Sequence, residues 1–478
     1  MEITVLGYLL FPLGLFLLIF NRDLLYYTFV FFTPFSAGSV LNIPSIQFGM
    51  QPAFLLGALC LISLIFDVIR RPMKIVRIVQ TQNVFIIAIG FFWFMALVSL
   101  LFSIMLYLWF DFEYITFNPG VLEDLGVRKF KLTAFSYLTF FLLIPLLTII
   151  KVDTKKKLLN CLYTLFYSGL FTIIWGLLTQ IVGFFWGIEY PVWLFNNHIG
   201  YIQFAGVPLY GIPRMNSVAA EPSHQAFFLI IYLSIFVTLW VNKIYLISRK
   251  FFQFSLILAL IGTFLTTSTT AYVTLGFGVI LMAMHLTSKK FVIKLHLLRL
   301  IVLIGLVILI IIVILTLAVS SSDIPLENFI RFVSENTIAK LQSGSGQIRT
   351  SAIPLTLEVF AQNPIIGTGW GRNRSFDLGT TLLANVGILG FVAFLMMILS
   401  ALQIALRIHR KSLDRTLSAI GLSLFYALIL ALFACFIAIP DFLFLYFWVV
   451  LGLAGSLLTI NKQELQWARM RQNSETKV

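Results

Sequence analysis

The stretch VFIIAIGFFWFMALVSLLFSIMLYLW, residues 84–109, contains no charged residue and exceeds the roughly 20 residues that a helix needs to cross a membrane. It is apolar on every face, whereas the strands of a membrane barrel alternate apolar and polar residues. The whole chain of 478 residues is 60% hydrophobic and 11% charged, with a mean hydropathy of +0.99. A soluble domain of this length could not cover so much apolar surface. The sequence therefore predicts an all-α polytopic membrane protein.

Similar apolar blocks recur along the chain, which we expect to form one integral membrane domain over residues 1–478. Hydropathy predicts about 13 spans, and about 12–14 when the regions 24–39 and 252–286 are counted either way. The predicted spans are 3–20, 24–39, 52–69, 84–109, 132–150, 158–186, 225–241, 252–268, 270–286, 300–319, 381–406, 416–438 and 442–460.

The formal net charge of +14 is unevenly distributed. Most Lys and Arg residues lie in alternate connections and in the tail 462–478, as expected for the cytoplasmic side of a membrane protein. The sequence therefore predicts a multi-pass membrane protein with a cytoplasmic C-terminus. Because the cations lie in short loops between apolar blocks, we expect no nucleic-acid partner. The three cysteines lie in apolar segments and do not suggest a metal site.

Long connections fall on the opposite, extracytoplasmic side, at 111–131, 187–224 and 320–380. Loops of this length usually have a function. In the third we expect helices at 326–341 and 348–361, separated by a Gly/Ser break at 343–346. We expect the active site among the polar residues of the last two loops.

The second long loop ends in PRMNSVAAEPSHQA, residues 213–226. Pro222 suits the first turn of a helix, and a carboxylate beside the N-cap is favoured by the helix dipole. An ordinary cap with interfacial polar residues is the alternative. The candidate functional residues in this segment are Arg214, Asn216, Ser217, Glu221 and His224.

The third long loop carries Arg349 and then NPIIGTGWG, residues 363–371. Glycines at alternate positions would let backbone N–H groups approach a phosphate, although a flexible turn is equally compatible with the pattern. The candidate residues here are Arg349, Gly367, Gly369, Gly371, Arg372, Arg374 and Asp377.

Arg214 and Arg349 lie in different loops on the same predicted side. The fixed fork of donors in arginine suits diphosphates. This pattern favours an anionic ligand at the outer membrane boundary. The hydroxyl-rich stretch TTSTTAY, residues 266–272 with Ser268 at its centre, would suit a sugar-lined groove or a helix cap. We see no metal-ligand spacing and expect no cofactor.

These segments together resemble the bacterial O-antigen ligase/polymerase superfamily. Residues 214–226 are similar to the Arg-containing, Glu-Pro-Ser segment of O-antigen and capsular polysaccharide polymerases. Arg349 with residues 363–371 resembles the long-loop signature, and LLANVGILGF, residues 382–391, resembles the helix start that follows it. Residues 268–271 resemble a Ser-Arg-x-Ala turn.

Two departures favour a polymerase over a ligase. Asp377 occupies the place of a long-loop histidine of the ligases, and Thr269 replaces the arginine of the Ser-Arg-x-Ala turn. The resemblance implies a metal-independent glycosyltransferase that uses a polyprenyl-diphosphate-linked glycan at the outer leaflet. It elongates glycan on lipid-linked oligosaccharide repeat units, with a chain-length regulator and a flippase as further expected partners besides membrane lipid.

The resemblance also suggests residue roles. Arg214 and Arg349 would bind diphosphate, and Glu221, His224 or Asp377 would be the general base, with Glu221 as the first candidate. Arg372 and Arg374 would hold the glycan or a second diphosphate. The alternatives are an O-antigen ligase or protein O-oligosaccharyltransferase, which differ in acceptor, and a flippase or transporter for the lipid-linked unit.

Overall fold

The computed structural model describes most of the chain at the level of single residues. The described residues are 1–70, 72–119, 125–127, 132–201, 203–205, 207–209, 211–287, 327, 331, 334, 344–439 and 443–475. Their helices are α1 (Val5–Phe20), α2 (Arg22–Phe32), α3 (Pro52–Arg70), α4 (Pro72–Thr81), α5 (Asn83–Phe110), α6 (Leu132–Lys151), α7 (Lys155–Gly176), α8 (Gly183–Phe185), α9 (Val192–Phe195), α10 (Pro222–Val241), α11 (Arg249–Leu265), α12 (Thr269–Thr287), α13 (Gly344–Gln362), α14 (Leu378–Lys411), α15 (Arg415–Ala438) and α16 (Leu445–Glu475).

The predicted fold class, an all-α polytopic membrane protein, is confirmed. Within the described ranges, eight helical segments are long and apolar enough to cross a membrane: Pro52–Arg70, Val84–Phe110, Leu132–Lys151, Lys155–Phe185, Pro222–Val241, Leu378–Lys411, Arg415–Ala438 and Leu445–Trp467. Two shorter helical segments, Val5–Phe20 and Thr269–Met284, are also apolar. The predicted span 300–319 lies outside the described residues, so the expected total of 12–14 stays a prediction.

One predicted span, 24–39, is longer than the helix that forms there. Helix α2 ends at Phe32, because Pro34 has no backbone N–H and disfavours helix at the residue before it. The chain then folds back into β2 (Leu41–Ile43) and β3 (Phe48–Met50), which form an antiparallel sheet with β1 (Glu2–Ile3) in the order β1-β2-β3.

This folded-back segment supports the second long loop. The Ala37 N–H donates to the carbonyl of Val218 at 3.0 Å, and the Ala37 carbonyl accepts from the N–H of His198 at 3.0 Å. The Ser39 N–H donates to the side chain of Asn197 at 2.8 Å. Residues predicted to lie in the membrane therefore hold the loop that precedes α10.

The centre of the bundle is built on α10, which is buried along most of its length. It packs against α15, and α14 packs against both α5 and α15. The basic connections meet at one end of these helices, where Lys155 contacts Asp414 and Arg415 donates to the carbonyl of Asn242 at 3.1 Å. This grouping agrees with the predicted charge bias; which side of the membrane it faces stays a prediction.

Candidate functional site

Arg214 is held by the turn between α11 and α12. Its Nε donates to Oγ1 of Thr267 at 2.6 Å, and the next residue, Met215, donates its N–H to the carbonyl of Leu265 at 2.9 Å. Thr267 has a left-handed backbone with φ of 53°, which the turn requires. Ser268, predicted to bind substrate, is a buried member of the same turn. The hydroxyl-rich stretch 266–272 therefore positions Arg214 through the Thr267 hydroxyl.

Gln180 fixes the backbone two and three residues after Arg214. It lies in a π-helical segment, Leu177–Val182, that interrupts the membrane helix between α7 and α8. Its Oε1 accepts the N–H groups of Asn216 at 2.9 Å and Ser217 at 2.7 Å, while its Nε2 donates to Asn216 Oδ1 at 2.7 Å. π-helical turns are frequent at functional sites. Nothing in the sequence patterns singled out Gln180, although a lone polar residue within an apolar span is such a signal.

Asn216 and Ser217 were predicted to bind substrate, but the structure gives both side chains protein partners. Both residues are fully buried. The Asn216 amide donates to the carbonyl of Ala219 at 2.5 Å, and the Ser217 hydroxyl donates to the carbonyl of Thr172 at 2.6 Å. Their observed contacts fix the loop that carries Arg214.

Glu221 is the N-cap residue of α10, as predicted, yet its carboxylate makes no capping hydrogen bond to the helix. Oε2 accepts a hydrogen bond from the Ser223 hydroxyl at 3.0 Å. Burial lowers the pKa of both Arg214 and Arg349, and the negative charge of Glu221 partly offsets this by raising each pKa. One carboxylate is therefore close enough to act on two arginines from different loops. We call Arg214, Glu221 and Arg349 the arginine site.

Arg349 lies on α13, which begins at Gly344, so residues 344–346 of the predicted Gly/Ser break are helical, whereas the predicted helix 326–341 falls almost entirely outside the described residues. Its guanidinium lies 5.6 Å from the ring centre of Phe376. The helix packs through a small apolar cluster that includes Ala352, Val359 and Ala384. Apolar packing and a cation–π contact therefore orient Arg349.

The first long loop, to which the sequence assigned no function, holds the C-terminal end of α13. The N–H and carbonyl of Ile115 bond the side-chain amide of Gln362 at 2.9 and 3.0 Å. The Tyr114 hydroxyl accepts from the Asn363 amide at 3.0 Å. The described part of this loop thus fixes the segment that follows the Arg349 helix.

The glycine-rich turn adopts the backbone that its sequence requires. Gly367, Gly369 and Gly371 have φ of 83°, 116° and 79°, a region that favours glycine. At Gly367 a Cβ would lie 2.5 Å from the carbonyl of Asn385. The N–H groups of Gly367 and Gly369 donate to the carbonyls of Asn363 and Asn385, so this geometry favours a packing turn over the predicted phosphate-binding turn.

That turn packs against a break in α14. Gly387 is non-helical, with φ of 63° and ψ of −169°. Beyond the break, the N–H of Ile388 donates to the carbonyl of Pro364 at 2.8 Å. Interrupted membrane helices occur where the freed backbone groups find other partners. The helix start predicted at 382–391 therefore contains an interruption, and the helix itself begins at Leu378.

Two further arginines, Arg372 and Arg374, follow the glycine-rich turn and have contacts of their own. Arg372 is fully buried and donates to the Ser103 hydroxyl at 3.1 Å and to the Tyr114 carbonyl at 3.3 Å. Arg374 is exposed, and its backbone N–H donates to the carbonyl of Phe117 at 3.0 Å. The contacts of Arg372 suit a structural role, whereas the exposure of Arg374 leaves its predicted contact with glycan open.

The other two base candidates have defined contacts of their own. Asp377 caps α14: it accepts the N–H of Thr380 at 2.8 Å and the Ser375 hydroxyl at 3.2 Å. The ring of His224 packs edge-on against Phe444 at 4.9 Å. Of the three candidates, Glu221 is the one whose charge raises the pKa of both Arg214 and Arg349.

Two cavities adjoin the arginine site. One, of about 330 Å³, is lined by Arg214, Gln180, Glu189 and Tyr190, among others. The other, of about 310 Å³, lies among α10, α11, α12 and α15 and has a mostly apolar lining that includes Tyr272. Arg214 therefore lines a cavity of mixed polar and apolar character, and a separate apolar cavity lies among the membrane helices.

Fold and site together define a polytopic membrane protein whose charged groups converge where loops meet the membrane helices. Residues 254–384 match the family model described as O-antigen ligase. The match confirms the predicted resemblance to the O-antigen ligase/polymerase superfamily over this region and implies a membrane enzyme that acts on glycans. A search of the curated proteins finds no match to the chain.

Proposed function

We propose that the chain is a polysaccharide polymerase of the bacterial inner membrane. It transfers a growing glycan from a polyprenyl-diphosphate carrier onto a lipid-linked repeat unit at the outer face. The observation that carries this proposal is that two buried arginines from loops far apart in sequence, Arg214 and Arg349, both feel the charge of Glu221, which raises the pKa of each against the lowering by burial. A chain-length regulator and a flippase belong to the same proposal as partners.

The arginine pair supports a diphosphate leaving group. Transfer breaks the bond between the anomeric carbon of the donor sugar and a diphosphate oxygen, and the diphosphate departs with the electron pair. Fixed positive groups that face this developing charge lower the barrier. Arg214 is held by its bond to Thr267 and Arg349 contacts the ring of Phe376, so the protein itself supports both guanidinium groups.

Glu221 supports the other half of the reaction. The acceptor hydroxyl oxygen forms the new bond to the anomeric carbon, and its proton passes to a base. A carboxylate is a suitable general base when it lies within hydrogen-bond reach of that proton. Because Glu221 makes no capping bond to α10, its carboxylate can accept a proton without loss of a helix cap.

The two cavities support a substrate with a lipid tail and a sugar head. The 310 Å³ cavity has an apolar lining within the membrane-spanning part and suits polyprenyl chain. The 330 Å³ cavity offers Glu189 and Tyr190 beside Arg214; carboxylate and hydroxyl groups hydrogen-bond sugar hydroxyls. In this proposal the diphosphate that joins polyprenol to sugar lies at the arginine site, with the sugar in the cavity that Arg214 lines.

An O-antigen ligase is the second candidate, because the matched family model carries that description. It would use the same donor and arginine pair but transfer to lipid A core. A protein O-oligosaccharyltransferase would differ only in taking a protein acceptor. A flippase is disfavoured by the lining of the 310 Å³ cavity, whose described residues include no charged side chain.

One assay separates these functions. The purified full-length chain, reconstituted in vesicles, is given lipid-linked repeat units as donor, with more repeat units, lipid A core or a protein as acceptor. We expect a ladder of chain lengths on the repeat unit alone. A single transfer to lipid A core would identify a ligase, and transfer to protein would identify an oligosaccharyltransferase. Movement of repeat units across the vesicle membrane without any transfer would identify a flippase.

A further inference from the structure

A charged cavity of about 390 Å³ lies at the other end of the bundle, where α1 meets α2 and α3 meets α6. Four cationic side chains and two carboxylates line it, and the reaction proposed above uses none of them. The charged residues of the lining are Arg22, Asp23, Asp67, Arg70, Lys151 and Lys157. We call it the basic cavity.

The carboxylates of the basic cavity are shared among its cations. Asp67 pairs with Arg22 at 3.2 Å and with Lys151 at 2.5 Å. Lys151 is only 5% exposed, so this charge is built into the packed protein. Lys157 pairs with Asp23 at 3.1 Å, and Asp153, outside the lining, lies 3.6 Å from Lys157.

The cations still outnumber the carboxylates when Asp153 is included. Arg70 is exposed in the last turn of α3 and brings a further positive charge to the cavity. The N-terminus of α2, which begins at Arg22, adds the positive end of a helix dipole. The basic cavity therefore favours an anion.

The border of the basic cavity is apolar. Ile19 and Phe20, at the end of α1, line it and are 71% and 70% exposed. Ile69, beside Arg70, is 71% exposed. In a membrane protein, exposed apolar side chains at a helix end contact lipid chains. A ligand in the basic cavity would thus place its charge among the cations and an apolar portion against Ile19 and Phe20.

We propose that the basic cavity binds the phosphate headgroup of an anionic phospholipid from the leaflet at that end of the bundle. Arg70 and Arg22 contact the phosphate, and Ile19 and Phe20 contact an acyl chain. Basic pockets between membrane helices bind anionic headgroups in this way. The site is separate from the arginine site and independent of the reaction proposed there.

The test measures lipid retention by the purified full-length chain. The protein is exchanged into mixed micelles that contain phosphatidylglycerol or phosphatidylcholine, and bound lipid is counted by native mass spectrometry. We expect selective retention of phosphatidylglycerol. Arg70→Gln should weaken it roughly fivefold, since a basic residue near an anionic lipid contributes about 1 kcal/mol.

Arg410→Gln is the matched control, because Arg410 is also an exposed arginine in the last turn of a membrane helix. It should retain the lipid like the wild type. Equal losses in the two variants, or equal retention of the two lipids, would overturn the proposal. Inorganic phosphate is the competitor: full displacement of phosphatidylglycerol at millimolar concentration would show a free-anion site and overturn the lipid assignment.

Discussion

The two arginines of the arginine site are held by supports of different kinds. Arg214 stands in a loop whose backbone N–H groups at Asn216 and Ser217 donate to Gln180, and its own side chain donates to the Thr267 hydroxyl. Arg349 stands on α13, which is held by apolar packing and by the ring of Phe376. Both guanidinium groups are within the electrostatic influence of Glu221, whose charge raises the pKa of each.

This difference between a hydrogen-bonded support and a packed support indicates how each arginine responds to substrate. Hydrogen bonds are directional and leave little freedom, so the Arg214 support sets one position. Packing against an aromatic ring tolerates small shifts, because cation–π attraction depends less steeply on angle than a hydrogen bond. We infer that Arg214 is preorganised and that Arg349 adjusts to the bound diphosphate.

We expect the largest effect from a substitution of Glu221, the carboxylate whose charge acts on both arginines. Glu221→Gln should lower glycan transfer by about 10²–10⁴-fold, the usual contribution of a general base. Donor binding should survive, because both arginines remain. Product formation and binding of the lipid-linked donor are measured on the same preparation. Transfer at the wild-type rate would show that Glu221 is not the general base and would leave His224 or Asp377 as the candidate.

The next largest effect is expected at Gly387, where the break in α14 packs against the glycine-rich turn. Gly387→Ala would force alanine to a φ of 63° and place its Cβ 2.4 Å from the Ile365 carbonyl oxygen. Strain of this kind costs about 1–3 kcal/mol before the clash is counted. We expect a lowered Tm and reduced transfer. Gly90→Ala is the control, since nothing lies within 4 Å of its Cβ position; equal stability of the two variants would refute the packing argument.

The Arg214 support is tested at Gln180. Gln180→Leu would leave the buried N–H groups of Asn216 and Ser217 without their acceptor, at a cost of about 1–3 kcal/mol. Transfer should fall more than donor binding, because Arg214 loses its orientation. Thr164→Val, which removes a helix-backbone hydrogen bond on α7, is the control. Unchanged stability and transfer in Gln180→Leu would show that the loop holds its position by other means.

The smallest effect is expected at the Arg349 support. Phe376→Leu removes an aromatic face worth about 0.5–1 kcal/mol to the guanidinium, so transfer should fall roughly two- to fivefold. Phe376→Tyr keeps the face and should keep the rate, as judged by initial rates of ladder formation. A loss as large as that of Gln180→Leu would mean that Arg349 is held as rigidly as Arg214.

The sequence predicted the helices well because an apolar block of sufficient length has few alternatives in a membrane. It predicted less where tertiary contacts decide. Pro34 ended α2 early, and the break at Gly387 depends on carbonyls of a distant turn. Arg372 and Asp377 looked functional in the loop sequence, but burial and capping give them structural contacts.

The grouping of Arg214, Glu221 and Arg349 in one site was the most specific expectation about function and stays a prediction, supported by the effect of the Glu221 charge on the pKa of both arginines. The supports could not be foreseen, because they join residues far apart in sequence. Gln180 bonds a loop 36 positions later, and Ile115 bonds Gln362 across 247 positions. Only the fold makes such pairs neighbours.

The most direct test of the account is a double-mutant cycle on the binding of polyprenyl diphosphate to the full-length chain. Arg214→Ala and Arg349→Ala should each weaken binding at least about tenfold. If both guanidinium groups hold one diphosphate, the double variant should depart from additivity by about 0.5 kcal/mol or more. Wild-type affinity in either single variant, or strictly additive losses, would contradict a shared diphosphate site.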